Sequence, residues 1–190
     1  AFYLLRIPIN QFRADVAYNT GKQYLSLSAY KQSLDQLKKA VGLAPDEVLF
    51  YAQLAEAQAQ TATAVKTQLD ALPATASADL VAGGQKLLDE LTAGALANSE
   101  KAVSLNPHHT NFYKSKAKVE LYLATIDPQY NQQALKTLEK LAAISPTDAK
   151  VVYNLGLISD QLGETKKAQE YYHLAVDLKP DYAAAQAMFK

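Results

Sequence analysis

The chain has 190 residues, 49% of them hydrophobic and 20% charged, and its 19 Lys and Arg balance 19 Asp and Glu. Zero net charge argues against a nucleic-acid-binding surface or an anchor to an acidic membrane. The lack of cysteine removes disulfides and thiolate metal sites while fitting any compartment, and no stretch approaches the roughly 18 apolar residues of a spanning helix.

The opening Ala1-Phe2-Tyr3-Leu4-Leu5 is too short for a span or a signal peptide, and no initiator methionine precedes it. An apolar pentapeptide followed by Arg6 suggests a chain cut from something larger, just after a membrane segment; simple N-terminal processing is the alternative. From Ala14 to Glu47 the apolar spacing is helical, with a break between two helices. The second helix ends in Ala40-Val41-Gly42-Leu43-Ala44-Pro45, an amphipathic tail closed by a residue that cannot continue it. Leu37, Ala40 and Val41 are packing positions, and Ser33 occupies the crossing where a small residue is needed.

A second tail, Ala102-Val103-Ser104-Leu105-Asn106-Pro107, closes a segment that starts near Asp46. Helical character runs through Ala52, Ala55, Ala59, Val65 and Leu69, breaks at Leu72-Pro73, and resumes at Leu80, Val81, Leu87, Leu88 and Leu91. This predicts one hairpin over 48–109 whose helices are longer than the others, with Gly83-Gly84 as a weak point. A disordered loop from Asp70 to Gln85 is the rival reading.

The third unit, 110–148, ends in Leu141-Ala142-Ala143-Ile144-Ser145-Pro146 and carries Tyr113 and Ala117 on its first helix and Ala134, Leu138 and Leu141 on its second. Its turn is lengthened around Thr125 to Tyr130, where Asp127-Pro128 breaks the helix. The fourth unit, 149–182, ends in Ala175-Val176-Asp177-Leu178-Lys179-Pro180, and its proline follows Pro146 by 34 residues. Gly156 and Ala168 let two helices approach, Tyr172 fills the space beside them, and Gly163-Glu164 marks the turn. Pro180 stops the helix, and Asp181 is placed to cap the next one. Residues 183–190 begin a further partial helix, whose Met188 and Phe189 would cover the last unit.

These features resemble the tetratricopeptide repeat, with its Leu-Gly, Ala, aromatic, Ala and Pro at fixed offsets over about 34 residues. Leu155-Gly156, Ala168, Tyr172, Ala175 and Pro180 carry the match in the fourth unit, and Gly21 lies as far before Pro45 as Gly156 before Pro180. The resemblance implies an all-α, right-handed α-solenoid of four helical hairpins with a partial terminal helix, forming one domain over 1–190. It also implies that the first helix of each hairpin lines a concave groove. The groove positions are then Tyr18, Asn19 and Lys22 in the first unit, Gln53 and Glu56 in the second, Lys114 and Lys118 in the third, and Lys150, Tyr153 and Asn154 in the fourth. Asn19, Gln53 and Asn154 recur at one equivalent position, where an amide can meet a peptide backbone as donor and acceptor. Lys114, Lys118 and Lys150 form a basic patch for an acidic side chain or terminal carboxylate; an ordinary solvated face is the plain alternative.

Family members that clamp acidic chaperone tails use Lys, Asn, Asn, Lys and Arg over three consecutive repeats. Here Tyr18, Lys22, Gln53, Asn111 and Ser115 stand at the matching places, so that specificity is not expected in the first three units. Counting from the third unit, Lys114 and Asn154 match, but the next unit is incomplete.

Signs of catalysis are missing. Gly83-Gly84 lacks the lysine and strand of a phosphate loop, His108-His109 opens a helix in solvent, and Ser and Asp are scattered without a triad partner. The expectation is a non-enzymatic scaffold without cofactor or metal that binds a protein or peptide segment. Phrases such as Phe12-Arg13-Ala14-Asp15-Val16-Ala17-Tyr18 and Asn111-Phe112-Tyr113-Lys114 also resemble the repeat tails of bacterial O-antigen ligase and polymerase-like membrane proteins. That likeness implies an accessory tail tethered to a membrane-bound, glycan-transferring domain. A homo-oligomerising module using the projecting hairpin is a third reading.

Overall fold

The computed structural model describes residues 2–188, and side chains from Pro8 to Met188; Phe189, expected in the terminal cover, lies outside the described residues. Among these residues there are nine α-helices and no strand. They run α1 (Phe2–Ser26), α2 (Tyr30–Leu43), α3 (Val48–Asp70), α4 (Ala78–Leu105), α5 (Thr110–Ala124), α6 (Tyr130–Ile144), α7 (Ala149–Gln161), α8 (Thr165–Leu178) and α9 (Ala183–Gln186). Successive helices pack as hairpins, α1 on α2, α3 on α4, α5 on α6 and α7 on α8. The hairpins form two compact units, Ala1–Pro107 and His108–Lys190.

In the first unit α1 reaches back twelve residues beyond Ala14, and its inner face is Ala14, Ala17, Gly21 and Leu25, all buried. A Cβ at Gly21 would lie 2.7 Å from Leu37 Cγ, so α2 crosses α1 at van der Waals distance there. Ser33 contributes more than small volume at this crossing. Its buried hydroxyl donates to the Gly21 carbonyl at 2.8 Å, which meets a polar group's need for a partner once water is excluded.

The second hairpin is the long one, with 23 residues in α3 and 28 in α4. Alanine supplies much of what these two helices bury: Ala52, Ala55, Ala59 and Ala62 on α3, and Ala95 and Ala102 on α4. Alanine lets backbones approach without losing side-chain entropy. Asn98 Nδ2 donates to Gln58 Oε1 at 2.7 Å, and Gly94 leaves the room that the Gln58 amide occupies. The loop at the far end spans only 71–77, and Ser77 caps α4 by accepting from the Leu80 N–H at 3.3 Å. Residues 78–85 are helical, so the disordered-loop reading does not hold.

In the second unit the extra residues between α5 and α6 form the expected longer turn, where Asp127 Oδ1 accepts from the Gln129 N–H at 2.9 Å. The α7–α8 turn uses Gly163 at φ 78°. A core of Ala117, Ala134, Leu135, Leu138, Leu141, Val151, Leu155 and Ile158 joins α5, α6 and α7. Tyr172 is fully buried, and a Cβ at Gly156 would collide with its ring. Its hydroxyl donates to Asp160 Oδ2 at 2.8 Å. Burial and that bond raise the phenol well above the ordinary tyrosine range.

The caps follow one rule that the proline pattern did not disclose. The residue preceding each following helix stands two places after the proline: Glu47, His109, Asp148 and Tyr182. Of these, His109 and Asp148 cap with their side chains, while Glu47 and Tyr182 do not. Asp181 therefore sits one residue too early to cap α9, correcting the expectation for that position. Helix α9 has four residues and buries Ala185 against Val152 and Ala175.

Candidate functional site

Helices α5, α6 and α7 of the second unit enclose a cavity of about 340 Å³ lined by Lys114, Ala117, Lys118, Leu121, Leu138, Leu141, Lys150, Val151 and Asn154. The four α5 residues recur at i, i+3, i+4 and i+7, so they share one helix face. Lys150, Val151 and Asn154, at i, i+1 and i+4, come from the first turns of α7. The walls are mostly aliphatic, and the polar atoms come from three lysines and one amide. Such a space suits an apolar side chain lying beside an anionic group.

Asp148 organises the rim. Its Oδ1 accepts from the N–H groups of Lys150 at 3.1 Å and Val151 at 3.4 Å, capping α7. Its Oδ2 accepts from Lys114 Nζ at 2.7 Å. Burial raises this carboxyl, but the hydrogen bond and charge of Lys114 and the two backbone N–H groups outweigh it and hold it below the ordinary aspartate range. Lys118 Nζ lies 5.9 Å from the Tyr122 ring centroid. A wider and more open hollow of about 550 Å³ adjoins, lined by Thr147, Asp148, Ala149, Lys150, Leu178, Lys179 and Tyr182.

Four of the ten expected contact residues thus line one cavity: Lys114, Lys118, Lys150 and Asn154. Tyr153, although adjacent in sequence, packs its ring at a tilt against those of Tyr172 and Tyr182, with centroids at 5.8 and 5.2 Å. The remaining five belong to the first unit. Tyr18 is buried against Phe50 at 5.0 Å between centroids, so its ring is a packing contact, and Lys22 Nζ lies over it at 5.2 Å. Asn19 is exposed and donates to the Asp15 carbonyl of its own helix at 3.0 Å. Gln53 and Glu56 are half-buried on α3, and Glu56 accepts from Gln60 at 3.1 Å.

The residue that sequence reasoning missed is Asp148. The signal was present, because an Asp just before an apolar-periodic run is an N-cap signature. Its second role, holding Lys114 from 34 positions away, has no local mark. Among the described residues no group of three or more His, Cys, Asp or Glu is placed to hold a metal ion, and no helix is long and apolar enough to cross a membrane.

Residues 149–182, which form the α7–α8 hairpin, match the tetratricopeptide repeat family. No curated protein matches the chain in sequence. Among solved structures the chain is similar to MamA (41-end) from Desulfovibrio magneticus RS-1, at 23% identity and TM-score 0.59 over 88% of this chain and 76% of that one. It is similar to TTC0263, a thermophilic TPR protein in Thermus thermophilus, at 19% identity and TM-score 0.61 over 92% and 80%. Human IFIT1, as a dimer with m7Gppp-AAAA, aligns at 17% identity and TM-score 0.69 over 92% of this chain and 36% of that one. At such identities the likeness is one of fold. The fold is that of a tetratricopeptide repeat protein, a class that generally serves as a protein-interaction scaffold and is typically non-catalytic.

Proposed function

We propose that this chain binds a protein or peptide segment through the second unit, with the cavity between α5, α6 and α7 as the anchoring point. The observation that carries this reading is the convergence of Lys114, Lys118, Lys150 and Asn154 on one aliphatic-walled space. An apolar terminal residue fills the space, its carboxylate meets the lysines, and the Asn154 amide takes the backbone. Burying one aliphatic side chain contributes about 1.5–3 kcal/mol, and charge-assisted hydrogen bonds add orientation as well as energy. The test is titration of the full chain with a short acetylated peptide ending in leucine, compared with its C-terminal amide. Replacing Lys150→Met and Asn154→Ala together should weaken binding of the free acid at least tenfold and erase its advantage over the amide. Unchanged affinity in that double variant refutes the placement of the site.

A further inference from the structure

The outward side of α1 is apolar. Ile9 is 52% exposed, Phe12 70% and Val16 50%. At about 100° per residue these three share one strip about 60° wide. It lies on the side of the helix opposite Ala14, Ala17 and Gly21, which are buried at the hairpin crossing. Within the first unit α1 packs on α2 and α3, and the strip is left to solvent. In stacked helical hairpins a terminal helix that stays in water carries a polar outer face; this one does not. The strip is also bordered by opposite charges. Arg13 stands on one edge, about 40° beyond Ile9, and Asp15 on the other, about 60° beyond Phe12. Both are exposed, and neither enters an ion pair among the described residues.

We propose that this strip is an interface with a second copy of the chain, in which two α1 helices lie side by side in parallel about a two-fold axis. Each edge of one helix then meets the opposite edge of the other, so Arg13 of each copy faces Asp15 of its partner. The axial offset between positions 13 and 15 is about 3 Å, well within the reach of an arginine. An antiparallel pair would instead bring like edges together, Arg13 on Arg13 and Asp15 on Asp15. The charges therefore select the parallel form. Ile9, Phe12 and Val16 make a small apolar centre, so the dimer is weak and forms as concentration rises. Peptide binding at the α5–α7 cavity does not require it.

The test is sedimentation equilibrium of the full chain at low salt, from micromolar to millimolar concentration. The wild type should pass from monomer to dimer. Phe12→Glu should weaken dimerisation at least tenfold, on the order of one buried aromatic side chain lost, with helicity unchanged because the ring faces solvent in the monomer. Arg13→Asp and Asp15→Arg should each weaken it roughly fivefold, since each sets like charges against one another at two places. The chain carrying both exchanges restores the pairing with the signs reversed. An equimolar mixture of the two single variants restores it between unlike copies. Both should dimerise within about twofold of wild type. A chain that stays monomeric throughout overturns the proposal and leaves the strip to another occupant. A dimer indifferent to Phe12→Glu places the contact elsewhere and overturns it as well. Loss in the single variants with no recovery in the double exchange or the mixture overturns the parallel pairing.

Discussion

Ser28 and Gly163 hold the same place in their hairpins, seven residues after Gly21 and Gly156, and both have positive φ, 56° and 78°. The backbone closes each turn alike, with Ala29 N–H donating to the Tyr24 carbonyl and Glu164 N–H to that of Ser159. A left-handed conformation costs a residue with Cβ roughly 1 kcal/mol that glycine avoids. Ser28→Gly should therefore stabilise the first hairpin by about 1 kcal/mol, seen as a higher midpoint in thermal melts. An unchanged midpoint would mean that the gain is cancelled by the freedom glycine adds to the unfolded chain. Asp148 gives a prediction of a different kind. Its carboxyl is partly buried, which opposes ionisation, yet Lys114 and the backbone N–H groups hold it below the ordinary value of 3.8. The unfolded chain then binds more protons in that interval, so the stability tied to this group is complete above the ordinary value and lost as pH falls through the lower folded one. Lys114→Met should flatten this acid limb of the melting temperature plotted against pH by lowering the melting temperature near neutrality, where the pair is intact, with little change at pH values low enough to protonate Asp148 in both states.

Along the elements, the long second hairpin shows why two adjacent glycines are not interchangeable. Gly83 faces open space, and a Cβ added there would have no heavy atom of a neighbouring element within 4 Å, whereas a Cβ on Gly84 would lie 2.5 Å from Leu69 Cδ2. Gly83→Ala should stabilise α4 by about 0.5–1 kcal/mol, the ordinary helix preference for alanine. Gly84→Ala gains the same preference but must push Leu69 aside, so its melting temperature should not rise. Adding Leu69→Ala to Gly84→Ala should recover part of the difference, which separates a steric cause from one in the helix itself. The helices of this hairpin were legible from Leu80, Leu87 and Leu91 at helical spacing. The role of Gly84 was not, because a glycine's neighbour across a hairpin leaves no periodic trace. The cap at Asp148 and the missing cap at Asp181 make the same point: Pro146 and Pro180 announce a helix end, but only the two-residue offset decides which side chain faces the next N–H groups.

At the scale of the molecule, a uniform rule placed one contact surface on the first helix of every hairpin, and the two units answer it differently. In the second unit four of the positions it named, Lys114, Lys118, Lys150 and Asn154, line one cavity, because the spacing that fixes a helix face also fixes which residues meet across α5 and α7. In the first unit the same positions are engaged locally: Tyr18 on Phe50, Lys22 over Tyr18, Asn19 on its own helix and Glu56 with Gln60. Sequence offsets give the face but not whether a cavity opens between neighbouring faces, which depends on the volumes of Ala117, Leu121 and Val151 below it. Binding of a leucine-terminated peptide should consequently discriminate between the units. Asn19→Ala with Gln53→Ala should leave its affinity within about twofold of wild type, a change within the range expected for residues away from a contact. Lys150→Met with Asn154→Ala should weaken it at least tenfold, consistent with the loss of charge-assisted bonds worth about 1.5–3 kcal/mol. Comparable losses from both pairs would show instead that the peptide is gripped by the first unit as well, and that its anchoring does not end at the α5–α7 cavity.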